Sequence, residues 1–260
     1  MAEIEYDYVN GFLALERADL EGVRDAIHLL RGAENPSEDS ALSLEAYELT
    51  AQDRLPEARE TLERLRILRE MNGATGPEAL DARADLCNLA CDEGRRSEVL
   101  DCLSRFSSPP AEINVFWSVD VGLMIAKCRY LAGDIKGGGN AGSNVLVEAQ
   151  RYGWYRERVL ANIYLMRARA ALGDHAKAIP SLRADLSEAA TKGAKSVAFE
   201  VALALGEVEM RAGRPEERIR LLNLEQEAQS RGFFRVARLA REARDWQPLR
   251  RPGEVDPRLR

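Results

Sequence analysis

Glycine returns in this chain at a fixed interval, and the interval limits what the chain can fold into. The stretches YLAGDIKGG, AALGDHAKAI and MRAGRPEERI place Gly133, Gly173 and Gly213 forty residues apart. Gly94 in CDEGRRSEV lies 39 residues before Gly133, and Asp53 in TAQDRLPEA takes the same slot 41 residues earlier. Ala18 in ERADLEGV takes it 35 residues before that, so six units are implied. A second series, Gly73, Gly153, Gly193 and Gly232, follows Asp53, Gly133, Gly173 and Gly213 by 19 or 20 residues. Glycine closes helices because the left-handed residue at a helix end carries no Cβ penalty there. Each unit therefore reads as two helices and two turns, and apolar residues between turns keep the helical period, as in Leu62, Leu65 and Leu68. A repeat of this length is the mark of stacked supersecondary units.

Two register positions carry the packing. Seven residues before each slot stand Gly11, Ala46, Cys87, Ala126, Met166 and Gly206, small in five units of six. Nine residues after it stand Ile27, Leu62, Leu103, Gly142, Leu182 and Leu222, large and aliphatic in five of six. Small residues on each first helix are thus expected to face large ones on the second.

This pattern resembles a tetratricopeptide repeat, and the long spacing with GD or GR turns, LPEAR and EAATKG is similar to the sensor arms of MalT-like bacterial regulators. The resemblance implies an all-α, right-handed α-solenoid of about six helical hairpins over residues 1–244. Residues 245–260, with three prolines in DWQPLRRPGEVDPRLR and no period, read as a flexible tail. Asp185 and Glu225 depart from the pattern, standing where small apolar residues are usual. Units of such an array contact only their neighbours, so the terminal units are expected to exchange amide hydrogens first.

The charge balance, 43 acidic against 37 basic side chains and a net −6, argues against direct nucleic-acid binding, which needs a basic stripe. No stretch approaches the apolar length that spans a bilayer, and the N-terminus lacks a basic leader, so the chain reads as cytoplasmic. Cys87, Cys91, Cys102 and Cys128 sit in apolar-periodic segments and read as reduced core thiols. The four-residue step from Cys87 to Cys91 would also suit two metal-bound thiolates, but Cys87 fills the small-residue slot, which favours packing.

Catalytic chemistry is scarce. Only His28 and His175 are present, neither with a second motif element nearby, and GDIKGGGNAGSN lacks the Gly-Lys-Ser/Thr ending of a phosphate loop. The expectation is a non-enzyme without cofactor or metal. In the resembled family, partners lie along the concave face made by the first helix of each unit. Carried over, that face takes Asn88, Lys127, Arg167 and Glu207 six residues before the slots and Tyr130 three before, with Arg129 and Arg169 adding positive charge. A basic middle flanked by Asp81, Asp85 and Glu207 suits a protein or peptide partner with an acidic segment, and self-association is compatible with it. The expected function is a protein-binding scaffold or sensory module; the alternative is a small-ligand-sensing domain of a MalT-like regulator.

One unit breaks its own pattern. Gly138, Gly139 and Gly142 stand where other units supply core residues such as Leu100, Leu103, Ile179 and Leu182. The segment from Ile135 to Ser143 is then either a frayed hinge or a gap that a ligand or large neighbours such as Trp117, Trp154 or Tyr155 fill.

Overall fold

A computed structural model describes residues 2–33, 36–74, 77–106, 115–214 and 217–245. These residues form helices and turns only, without a strand. The helices are α1 (Ala2–Glu16), α2 (Leu20–Gly32), α3 (Glu38–Ala51), α4 (Leu55–Met71), α5 (Pro77–Asp92), α6 (Arg96–Arg105) and α7 (Val115–Ala132). They continue with α8 (Ile135–Tyr152), α9 (Tyr155–Ala171), α10 (His175–Lys192), α11 (Lys195–Arg211), α12 (Arg218–Ser230) and α13 (Phe234–Asp245). Each packs on the next, and α5, α7, α9, α11 and α13 also pack in succession, as in a helical repeat. Among the described residues no helix is long and apolar enough to cross a membrane. Of the tail expected over 245–260, Asp245 ends α13 and the rest lies outside the described residues.

The turn register is the frame of the fold. The described residues with positive φ are Ala18, Asp53 and eight glycines, and all ten are the turn positions read from the sequence. Each is followed by an amide that donates back to a carbonyl five residues earlier, from Asp19 to Ala14 through Phe233 to Ala228, at 2.9–3.1 Å. These bonds satisfy carbonyls that a helix end otherwise leaves open. Asp19 and Asp134 accept from the amides of Gly22 and Gly137, capping α2 and α8.

The small-to-large rule holds with a shift in the last unit. An added Cβ on Gly206 would fall 2.4 Å from Leu221 Cδ2, so Leu221, which is fully buried, and not Leu222 fills that notch. Asp185 and Glu225 are buried by pairing rather than by packing. Asp185 meets Arg158 at 3.3 Å and accepts from Asn162, while Glu225 meets Arg241 at 2.7 Å and also Arg244.

Three expectations change. The glycine-rich segment is neither frayed nor a gap: α8 is continuous, with Gly138, Gly139 and Gly142 buried. A Cβ on Gly138 would lie 2.9 Å from Tyr130 N, and one on Gly142 2.9 Å from Ala161 O. The glycines let α8 lie backbone to backbone against α7 and α9, which closes the space without Trp154 or Tyr155 entering it; the side chain of Trp117 lies outside the described residues. The cysteines are not four reduced thiols, since Cys87 and Cys102 form a disulfide between α5 and α6, leaving Cys91 and Cys128 as buried thiols. Helix α6 is short and keeps only Val99 buried, so it has little apolar surface of its own to hold it.

The third change concerns the ends. Helix α1 touches α11, and α13 touches α3. Ala18, Leu20 and Ala51 from the start of the chain share one apolar cluster with Phe199, Leu221 and Val236 from its end. Arg238 of α13 grips Asp53 with Nε and Nη2, at 2.7 and 2.9 Å, across 185 residues. Asp53 stands at φ 60, where most units have glycine, and its carboxylate is what the position gains in exchange for the strain. Contacts therefore reach beyond neighbouring units, and the terminal helices are held.

Candidate functional site

With its ends joined, the chain turns the inner faces of its odd-numbered helices toward a common interior. On α5 the residues Asp81, Asp85, Asn88 and Asp92 follow at helical spacing, and all four line a cavity of about 250 Å³. Helix α7 adds Asp120 and Lys127 to its wall, α9 adds Arg156 and Tyr164, and α13 closes it with Arg235. A second cavity, of about 280 Å³, shares Asp92, Lys127, Tyr164, Glu200 and Arg235 and continues to Arg167, Glu207 and Arg238. The two form one chamber.

Its charges fall into two groups. Around the shared wall they are matched: Lys127 Nζ meets Asp92 at 2.9 Å and donates to the Asn88 carbonyl at 3.1 Å, and Arg235 bridges Asp92 and Glu200. Burial works against the Asp92 carboxylate, but Lys127 and Arg235 outweigh it and hold its pKa below the usual range. Burial likewise opposes the Lys127 ammonium, and Asp92 raises its pKa nonetheless. Further along, Arg167 pairs with Glu207 at 2.9 Å and lies over the Tyr164 ring.

The other group is matched only at Asp81, which pairs with Arg69 at 2.8 Å. Asp81, Asp85 and Asp120 face the same cavity, where the Arg156 guanidinium acts on Asp120 and Arg69 is engaged by Asp39 and Asp81. Burial, then repulsion from Asp81 and Asp120, raises the pKa of Asp85 well above the ordinary carboxylate value. Burial raises Asp81 against the pull of Arg69, and pushes Asp120 up to about 7 against that of Arg156. Tyr47 donates to Asp85 at 3.4 Å, and its own pKa is raised by that carboxylate and by burial. Within the same cavity the Asp120 carboxyl, the Asn88 carboxamide and the Tyr164 hydroxyl have no hydrogen-bond partner among the described residues. All three residues are half-buried, so their polar groups are open to water or to a ligand.

Of the residues assigned to the concave face, Asn88, Lys127, Tyr130, Arg167 and Glu207 do line the chamber. They face one another rather than open solvent: Lys127 and Arg167 are occupied by Asp92 and Glu207, and Tyr130 accepts from Arg211. Arg129 and Arg169 lie off the lining, and Arg169 is exposed. Sequence reasoning missed Asp120, Arg156, Tyr164, Glu200 and Arg235. Part of the signal was present, because thirteen residues before the slots, two turns from the six-before position, stand Asp81, Asp120, Leu160 and Glu200, all on the wall. No protein-family model, curated protein or solved structure matches the chain, so the chamber is read from its own chemistry.

A pH dependence follows from Asp120. Its folded pKa, about 7, lies above the unfolded value near 4, so the native state holds the extra proton between them. The associated stability is complete below the unfolded pKa and is lost as pH rises through about 7. Urea titrations should find the protein less stable at pH 8 than at pH 5, and Asp120→Asn should recover about 2–4 kcal/mol at pH 8. Equal stability of wild type and variant at pH 8 would contradict the assignment.

Proposed function

We propose that the chain is a tetratricopeptide-like, right-handed solenoid of about six hairpins, acting as a non-catalytic sensory module whose ligand is a small organic cation held in the central chamber. The observation that carries this reading is the facing of Asp81, Asp85 and Asp120 across one cavity that also holds unfilled hydrogen-bonding groups. An ammonium or guanidinium group there would restore ionisation to carboxylates that otherwise repel one another. Leu123 and Leu160 on the same wall would cover an apolar stem, and Asn88 and Tyr164 would orient it. Neither histidine lines the chamber, which supports binding without catalysis. This is the ligand-sensing function of the MalT-like arms that the repeat resembles, placed on residues of this chain.

A docked acidic peptide is the weaker reading for the interior, because the cations it would need already have carboxylate partners. A protein-binding scaffold remains the second reading for the outside. Tyr6, Val9 and Leu13 share one face of α1 and are exposed by 66%, 53% and 41%.

A thermal-shift series separates these. Cadaverine, spermidine and arginine methyl ester should be compared with succinate and glutarate. A ligand at about one hundred times its Kd stabilises by about 2.7 kcal/mol, which for a chain of this length is about 5–10 °C in Tm. Amines should shift the wild type, more at pH 8 than at pH 5, and should leave Asp85→Asn unmoved. Absence of a shift with every amine, or an equal shift with the dianions, would reject the chamber as a cation site.

A further inference from the structure

One buried pair of nucleophiles has no part in the reading above. Cys91, near the end of α5, and Cys128, on α7, place their sulfurs 2.6 Å apart, well inside the contact distance of two non-bonded sulfurs. Both are buried, but not equally: Cys128 has no exposed surface, whereas Cys91 contributes to the wall of the larger cavity. The next residue on one helix and the preceding residue on the other, Asp92 and Lys127, form the ion pair of the shared wall. Two thiols are thus held against each other, across two helices, beside the charges that organise the chamber. The contact is between units rather than within one, unlike the Cys87–Cys102 bond.

We propose that Cys91 and Cys128 are a reversible dithiol–disulfide couple set in the chamber wall and oxidised by a small peroxide. A peroxide fits the access, because the cavity admits small molecules to Cys91 while Cys128 is reached only through its neighbour. In the first step the Cys91 sulfur attacks hydrogen peroxide; the O–O bond breaks, an S–O bond forms, and one water leaves as Cys91 becomes a sulfenic acid. In the second, the Cys128 sulfur attacks that of Cys91; the S–O bond breaks, the S–S bond forms, and the Cys128 proton leaves with the hydroxyl as a second water. Two thiols lose two electrons to one peroxide, and two waters are made. The contact between the sulfurs, and then burial, raises the Cys91 pKa against the pull of Lys127, while the same contact lowers that of Cys128 and so favours the thiolate that makes the second attack. The bond ties α5 to α7 at the level of Asp92 and Lys127, so oxidation fixes the wall that the two cavities share.

The experiment uses the whole chain as purified. It is treated with a few equivalents of hydrogen peroxide, alkylated with iodoacetamide, and mapped without reduction by mass spectrometry. Cleavage at Leu89 is needed to separate Cys87 from Cys91. The expected product is a Cys91–Cys128 linked peptide beside Cys87–Cys102, absent before peroxide and removed by dithiothreitol. Closing a loop of this separation should raise Tm on the order of 10 °C. In Cys128→Ser, peroxide should leave Cys91 as a sulfenic acid that dimedone captures, with no gain in Tm. Quantitative alkylation of Cys91 and Cys128 after peroxide would overturn the proposal, as would over-oxidation of Cys91 in the wild type without a bond. Linkage of Cys128 to Cys102 would overturn it too, since the contact pair would then not be the reacting pair.

Discussion

Replacing Gly142 with leucine, the residue that Leu182 supplies at the same register position one repeat later, should remove at least about 4 kcal/mol of stability or prevent folding. The reason is steric and lies in the backbone. A first carbon on Gly142 already falls 2.9 Å from Ala161 O and 3.2 Å from Leu165 N, and neither atom can turn aside as a side chain would. Helix α8 would have to move off α9, opening a seam where backbone lies against backbone. Gly138 faces α7 in the same manner, 3.0 Å from Ala126 O, so the pair fixes α8 from both sides. Gly32 is the control: nothing lies within 4 Å of its added carbon, and Gly32→Ala should be neutral or gain up to about 1 kcal/mol. Thermal melts followed by circular dichroism decide the matter, and a Gly142→Leu melt within a degree of wild type would refute the close approach.

Asp92→Ala should cost about 3–5 kcal/mol, because it leaves Lys127 and Arg235 sharing an interior wall without their common carboxylate. Glu200 still meets Arg235, so the orphaned charge is mainly that of Lys127. The double change Asp92→Ala, Lys127→Met should therefore recover much of the loss, which a purely steric effect at Asp92 would not allow. The pH profile adds a second reading. The folded pKa of Asp92 is depressed, so its contribution is present above the unfolded pKa and disappears as pH falls through the folded one. The acid limb of the wild-type stability curve should be flatter in the variant. A single-variant loss below about 1 kcal/mol would mean that the pair contributes as a solvated surface pair does.

The ten left-handed turns among the described residues were legible in the sequence, since a left-handed helix end needs glycine or accepts a strained substitute, and that requirement repeats with the unit. Ala18 and Asp53 were found by register alone, without a glycine to mark them. The interior face was legible in part. Position six before the slot returned Asn88, Lys127, Arg167 and Glu207, and applied to the second unit it gives Tyr47, which also lines the chamber. Three things were not legible, each for a physical reason. Glycine at Gly138 and Gly142 is equally consistent with missing packing and with closer packing, and only the neighbouring backbone distinguishes them. Cysteines four apart on a helix read alike whether they pack or bond, because the partner is on another helix. The meeting of α1 with α11 depends on the small rotation between successive units, summed along the chain, and no single residue encodes it.

That meeting also bears on how such a molecule can change over time. An open array tolerates duplication or loss of a unit, because each interface resembles the last and the ends are free. Here Arg238 must arrive at Asp53, and Leu20 must lie against the turn at Gly232, where an added carbon would be only 3.0 Å away. Inserting one more forty-residue unit would carry α13 past both and split the cluster that Ala18 and Val236 share. The number of units is thereby counted by the fold itself, as the staves of a barrel are counted by its hoop. Variation is left to side chains on the inner wall, where a substitution changes the chemistry of the chamber without changing how many helices surround it.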